Sequence, residues 1–381
     1  MVPHLTSKVD RLRPAYGFDD ISLAPGTDTA DPSDVDLSQS FCGIPLAVPI
    51  IASAMDAVVS PETAGLLHRL GSLACINLEG LWFRYDDPRP HFAAIRSAAK
   101  GDVQALFAQL YAEPVKEALI AQRIAEIHAA GSPAMVAATP QAIGRFGDAI
   151  IAGGADLLVI QSQVSSARHI ATGYAPLELA DFVKRSSIPV AVGNTTNAEA
   201  AYSLMEQGAA AIFVGVGPGN ACTTREVLGI GVPQVTAVSD VAGARDAYVA
   251  ATGRYVPVVA DGGIRKGGEI AKALAVGADA VMIGSPLARS TEAPGSGFNW
   301  GMAAPSPTLP RGTRIEVGVA GSMEQILNGP SRVTDGSENL VGAVRQSAAA
   351  LGVQTLAAFR DVEVIYAPAA ATEGKSWQRG R

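Results

Sequence analysis

Residues 257–285 read PVVADGGIRKGGEIAKALAVGADAVMIGS, and the rest of the chain repeats their pattern. PVVAD (257–261) is almost wholly apolar, as expected of a parallel strand buried on both faces. Lys266–Val276 has helical spacing, and VGADA closes it with a glycine suited to a left-handed C′ position. AVMIG (280–284) then opens the next apolar run at once. Upstream, similar runs stand at LAVPIIAS (46–53), LACIN (73–77), AMVAA (134–138), LLVIQ (157–161), PVAVG (189–193) and AIFVG (211–215). Helical spacing marks Pro114–Ala130, Asn197–Gln207 and Thr236–Thr252, and GGAD and QGAAA repeat the glycine stop. Eight such strands alternating with helices predict an α/β chain folded as a (β/α)8, or TIM, barrel with its core over about 46–290. An open doubly wound sheet fits less well, because no glycine-rich turn follows LAVPIIAS.

Residues 1–367 read as a single domain built on that barrel. The first 45 residues, polar and rich in Pro and Asp, are expected to cover the barrel bottom. Residues 293–335, rich in Pro, Gly and Ser, read as a long flap-like loop, and Asn339–Phe359 as a last helix. A disordered tail is expected over 368–381. The 381 residues carry a formal net charge of −7 with no basic run, which argues against a nucleic-acid or anionic-membrane partner. With 48% hydrophobic and 17% charged residues the chain can bury a large core. Three cysteines, an odd number, suit a reducing compartment. MVPHLTSKVDRLRP lacks the apolar region of a secretory signal, so a cytoplasmic location is expected.

In a barrel, chemistry belongs to loops at the C-terminal ends of the strands. After the sixth strand comes GVGPGNACTTR (215–225), a curling loop with Cys222 at its tip beside two hydroxyls and Arg225. A neighbouring Arg lowers a thiol's pKa and suits it to nucleophilic work. Most free Cys are core residues, but Gly-Pro-Gly and Thr-Thr-Arg are not core composition. Cys42 and Cys75, in apolar contexts, read as structural. ADGGI (260–264) after the seventh strand and IGS (283–285) after the eighth are placed to grip a phosphate, with Asp261 able to accept from ribose hydroxyls. DGG by itself also reads as a tight turn with a capping Asp. Neither the five His nor the Cys spacing forms a metal site. The residues therefore point to a Cys nucleophile acting on a phosphorylated small molecule.

SAMD (53–56), GPGNACTTR, ADGGI, MIGS and WGM (300–302), in this order, resemble the IMP dehydrogenase/GMP reductase family over nearly the whole chain. Only residues 79–113 stand where many relatives carry regulatory CBS domains, so the chain is similar to a short IMP dehydrogenase-related branch. The resemblance implies that Cys222 adds to purine C2 and that Thr224 stands beside the cofactor ring. It implies nucleotide contacts from Ser53, Met55, Asp261, Gly263, Gly284, Ser285, Gly301 and Met302, while Asn220, in place of the usual Ser beside the nucleophile, keeps a polar contact to phosphate. It further implies a K⁺ site from the carbonyls of Gly217, Gly219 and Cys222, a nicotinamide cofactor and a homotetramer.

Three departures bear on which reaction is run. The family's flap Arg-Tyr pair, which activates water in the dehydrogenases, is not reproduced: Trp300–Val319 has no Tyr. The position where reductases place a proton-donating Glu falls on Arg311, which can orient water but cannot protonate ammonia. Arg311 reads equally as a phosphate ligand or loop cap, and Glu316 as a displaced acid. Gln161, followed by Ser162, replaces the Asp expected against the cofactor ribose, with Glu292 as a partial substitute. Asn194 reads as a nucleotide contact or a turn former. The leading expectation is NAD-dependent oxidation of IMP to XMP. The Thr-Thr-Arg sequence leans instead towards NADPH-dependent reductive deamination of GMP or a related purine. A purine-nucleotide sensor without turnover is the third reading, and retention of Cys222 argues against it.

Overall fold

The apolar runs become strands whose side chains alternate between two dry environments. The structure, a computed structural model, describes residues 12–301 and 313–368. The strands in chain order are β1 (Ile21–Leu23), β2 (Gln39–Phe41), β3 (Ile44–Leu46), β4 (Ile50–Ala52), β5 (Leu73–Asn77), β6 (Met135–Ala138) and β7 (Leu157–Gln161). They continue with β8 (Val190–Thr195), β9 (Ile212–Val214), β10 (Val258–Asp261), β11 (Ala280–Ile283), β12 (Phe298–Trp300), β13 (Arg314–Glu316) and β14 (Val364–Tyr366). β4 to β11 pair in parallel and close into a barrel in sequence order, β11 returning to β4. In β7, Leu157 and Val159 point into the barrel while Leu158 and Ile160 face the helices. Burial on both sides is why the sequence shows no polar alternation there.

The outer layer starts with α1 (Pro61–Arg69), capped by Ser60. After β5, two extra helices, α2 (Arg89–Ser97) and α3 (Val103–Leu110), precede α4 (Ala118–Ala129). Then come α5 (Pro140–Ala152), α6 (Leu179–Arg185), α7 (Ala198–Glu206), the short α8 (Thr224–Leu228), α9 (Gln234–Thr252) and α10 (Gly267–Ala275). The glycine stops behave as read: Gly154, Gly208 and Gly277 take φ of 88°, 100° and 107°, values that an L side chain rarely adopts.

The hairpin β2–β3 turns at Cys42 and Gly43, both at positive φ, and inserts Phe41, Ile44 and Leu46 into the barrel's inner cluster. Gln39 Nε2 donates to Asp279 O, and Cys42 Sγ to Ala210 O, both just before strand starts, so the plug seals the N-terminal end. Burying Phe41 and Ile44 stabilises by roughly 1.5–3 kcal/mol each. The covering expected of the whole N-terminal extension is thus done by this hairpin, whereas β1 pairs antiparallel with β14.

Two more expectations are corrected. Residues 293–335 are not one long loop: β12 and β13 pair antiparallel, and α11 (Ser285–Ala288) and α12 (Met323–Asn328) flank them. Trp300, Met323, Ile326 and Leu327 are buried, enough apolar side chains to anchor segments that the Pro and Gly content disguised. The last helix does not reach 359. α13 spans Leu340–Ala350, because Gly352 at φ 71° reverses the chain, and a separate 3-10 turn follows at Leu356–Asp361. The tail expected to be disordered lies, from residue 369, outside the described residues.

Candidate active site

A cavity of about 700 Å³ opens at the C-terminal ends of the strands, opposite the plug. It is lined by Ser53 and Met55 after β4, by Gln161 and Ser162 at β7, by Gly217, Gly219, Asn220, Cys222 and Thr224 after β9, and by Asp261 and Gly263 at β10. Gly284, Ser285 and Gly301 complete this set, so the motifs meet in one place. Met302 and Arg311 lie outside the described residues. Glu292 is not among the lining residues: its carboxylate accepts from Met323 N at the start of α12. Glu316, the other candidate acid, is exposed on β13 and also absent from the lining.

Cys222 is exposed at the tip of its loop, and its backbone N–H donates to Gly219 O over 3.1 Å, closing the turn. Its Sγ donates to Thr224 Oγ1 over 3.1 Å, and Gln163 Nε2 donates to the same oxygen over 2.8 Å. Thr224, buried as the first residue of α8, therefore accepts twice and holds the thiol in register. Arg225 is anchored to the loop backbone instead of the thiol. Its Nε and Nη2 donate to the carbonyls of Val216 and Val232, bracing the loop from beneath. Gly217, at φ 75°, is required there, because a Cβ would stand 2.6 Å from Arg225 Cγ.

Asp261 ends β10 at the cavity floor. Asn194 Nδ2 and Gln161 Nε2 donate to its Oδ2 over 2.7 and 3.0 Å, and Gln161 also donates to Asn194 Oδ1. Burial pushes the Asp261 carboxyl up to about 6, against the opposing pull of those two amides. Gln161 is thus engaged with Asp261, not left facing a cofactor ribose alone, and Asn194 is a direct partner of Asp261, not a turn former. Both donors share one carboxylate oxygen, which leaves the other for hydroxyl groups of a ligand. Gly262 and Gly263 follow at φ 84° and 78° against Pro218 of the Cys loop. Asn299 Nδ2 donates to Ser285 Oγ over 3.0 Å, so the Ser285 hydroxyl proton can turn to an anion.

Sequence reasoning missed Gln163, Asn299, Tyr111 and Glu79, all at the cavity wall. Gln163 and Asn299 lie within two residues of quoted motifs and were open to inspection. Tyr111 and Glu79 come from the 79–113 stretch, where no pattern marked a contribution. Among the described residues no group of three or more His, Cys, Asp or Glu is placed to hold a metal, and no helix is long and apolar enough to cross a membrane.

A cysteine loop, a buried carboxylate and paired glycine loops thus meet at the C-terminal ends of successive strands of one (β/α)8 barrel. The IMP dehydrogenase/GMP reductase domain matches residues 15–304. An uncharacterized oxidoreductase of Mycobacterium leprae is 40% identical over 362 residues, covering 93% of this chain and 96% of the relative. The IMP dehydrogenase of Methanocaldococcus jannaschii is 28% identical over 375 residues, covering 76% and 74%. An IMP dehydrogenase/GMP reductase-like protein from Corynebacterium glutamicum superposes with a TM-score of 0.88 at 36% identity, covering 93% of this chain and 95% of that one. The chain belongs to the IMP dehydrogenase/GMP reductase family of oxidoreductases.

Proposed function

We propose that the protein oxidises IMP to XMP with NAD⁺, through a covalent adduct between Cys222 and purine C2. The observation that carries this reading is the thiol of Cys222, held by Thr224, in one cavity with Asp261 and the Gly263, Gly284 and Ser285 loops. The glycine amides and Ser285 bind the phosphate, Asp261 accepts from the ribose hydroxyls, and Met55 and Asn220 flank the nucleotide. The thiolate adds to C2, which becomes tetrahedral and releases hydride; water then displaces sulfur and the thiol is regenerated. A bound nicotinamide dinucleotide supplies the two-electron acceptor. The cavity's size, towards the upper part of the ~300–1,000 Å³ range of ligand pockets, fits a nucleotide and a second ring together. Gln161, Ser162 and Thr224 line that shared space. The carbonyls of Gly217, Gly219 and Cys222 form the loop assigned to K⁺. The Gly219 carbonyl already accepts from Cys222 N and keeps one lone pair for a cation.

Reductive deamination of GMP with NADPH is the second reading, favoured by Thr223-Thr224-Arg225 after the nucleophile. It needs an acid to protonate the departing ammonia. Glu79 and Asp261 are the carboxyl groups lining the cavity among the described residues, with Asp261 already assigned to ribose. We assign the water-orienting role in the oxidation to Arg311. Absorbance at 340 nm decides: a rise with IMP, NAD⁺ and K⁺ supports oxidation, and a fall with GMP and NADPH overturns it in favour of Glu79-assisted reduction. Sedimentation of the full chain checks the homotetramer that family membership implies.

A further inference from the structure

The stretch between β5 and α4 brings into the cavity an aromatic side chain that no motif marks. Tyr111, directly after α3, lines the cavity and stands in the middle of a hydrogen-bonded line. Trp300 Nε1 donates to its hydroxyl over 3.0 Å, and that hydroxyl donates to Asp56 Oδ2 over 2.8 Å. The direction follows from chemistry: an indole N–H only donates, so the phenol accepts there and gives its single proton to the carboxylate. The Leu81 N–H donates to the same oxygen over 2.7 Å. Position 80 has no room for another residue, since a Cβ there would stand 2.0 Å from Asp56 Oδ1. Trp300 itself is fully buried, with the rings of Phe92 and Phe107 at 6.3 and 6.2 Å between centroids. Its chain neighbour, Gly301, is at the cavity wall.

We infer that Tyr111 is a positioning residue: by holding Trp300 it fixes Gly301 as the wall that presses the purine base onto Cys222. The inference rests on the purine-nucleotide reading above. Asp261, Gly263, Gly284 and Ser285 lie on other loops, so losing the Tyr111 hydroxyl leaves nucleotide affinity in place and loosens only the alignment of the base. Misplacement of reacting atoms by about 1 Å can lower a rate on the order of 100-fold, and a wall displaced by less loses correspondingly less. Asp56 serves as the fixed acceptor at the end of the line. It accepts from Tyr111, directly after α3, and from the Leu81 N–H in the turn after β5, with Arg84 a nearby cation among the described residues.

The test uses the full chain with Tyr111→Phe, Trp300→Phe and the double variant, assayed with whichever nucleotide pair the wild type turns over. For Tyr111→Phe, kcat is expected to fall about tenfold while the nucleotide KM stays within about twofold. The double variant is expected to be no worse than the poorer single one, because both remove the same bond. A readout without turnover is alkylation of Cys222 by iodoacetamide, followed by peptide mass. The nucleotide concentration giving half protection should match wild type, with more residual alkylation at saturation. If Tyr111→Phe fails to fold, Trp300→Phe, which keeps an aromatic ring while removing the donor and part of the buried indole, is expected to lower kcat at least as much with the same nucleotide KM. A Tyr111→Phe protein with wild-type kcat and protection, or losses that multiply in the double variant, overturns the inference alone. A wild type that no purine nucleotide protects overturns the nucleotide reading and this inference with it.

Discussion

Asp279 and Asp261 sit at opposite ends of the same barrel, and their surroundings differ in one respect. Asp279, buried just before β11, accepts from Arg245 Nη1, Tyr255 Oη, the Val258 N–H and Arg360, and Arg245 is itself almost fully buried. Asp261, at the end of β10, accepts from two neutral amides, with no cation hydrogen-bonded to it among the described residues. At the sealed end a charge is taken out of water only with its counter-charge, which is what stability requires. At the open end a carboxylate is buried without a counter-charge, so burial raises its pKa, and the oxygen that neither amide occupies is reserved for a ligand.

The contrast can be sharpened or broken by mutation. The largest effect expected lies at the open end: Cys222→Ala lowers kcat by roughly 10³-fold or more while nucleotide binding and thermal stability persist. Equilibrium dialysis and a melting curve check both halves, and a variant that still turns over removes the nucleophile from the scheme. At the sealed end, Asp279→Ala removes the buried counter-charge of Arg245, which keeps the exposed Asp246 carboxylate and the Gly277 carbonyl, and lowers folding stability by about 3 kcal/mol. The kcat of the remaining folded protein should be unchanged, as denaturant titration beside steady-state assays will show. Asp261→Asn should act in the opposite sense. The raised carboxyl binds its proton more tightly in the folded chain, so its ionisation destabilises the ligand-free protein as pH rises from about 4 through about 6. The Asp261→Asn variant should therefore be more stable than wild type at pH 8, by about 1–3 kcal/mol, with the gain vanishing near pH 4. It should also bind nucleotide about 10- to 100-fold less tightly, through loss of charge-assisted hydrogen bonds. If Asp261→Asn and Asp279→Ala both destabilise the protein at pH 8, the contrast between the two ends fails. Smallest is Gln163→Leu, which removes one donor from Thr224 and should lower kcat about three- to tenfold, the cost of roughly 1 kcal/mol of lost alignment.

How much of this was legible depended on how local the cause was. LACIN and LLVIQ are strands over the residues read from the sequence, because burial on both faces leaves an unbroken apolar run. β12 and β13 were hidden, because Trp300 is buried by Phe92 and Phe107 from a distant segment and nothing in its own Gly- and Pro-rich neighbourhood announces that. The loop motifs identified the cavity lining, since glycine pairs and the cysteine tip advertise backbone demands at their own positions. The backbone partners of Arg225 stayed hidden for a related reason. Adjacency in sequence suggested the thiol, whereas folding turns its guanidinium towards Val216 and Val232. Asn194 and Gln161 gained their meaning only when β7, β8 and β10 came together around one carboxylate.

The plug hairpin has a kinetic side. Phe41 and Ile44 precede every barrel strand in the chain, yet the inner cluster that receives them includes Phe213, Val259 and Met282 from the late strands. Contacts of such long sequence separation make loop closure the slow event in folding. A half-synthesised barrel must therefore carry an apolar hairpin without most of its socket, and only closure of β11 against β4 completes it. The feature that seals the finished barrel is thus its point of greatest exposure to misassembly on the way there.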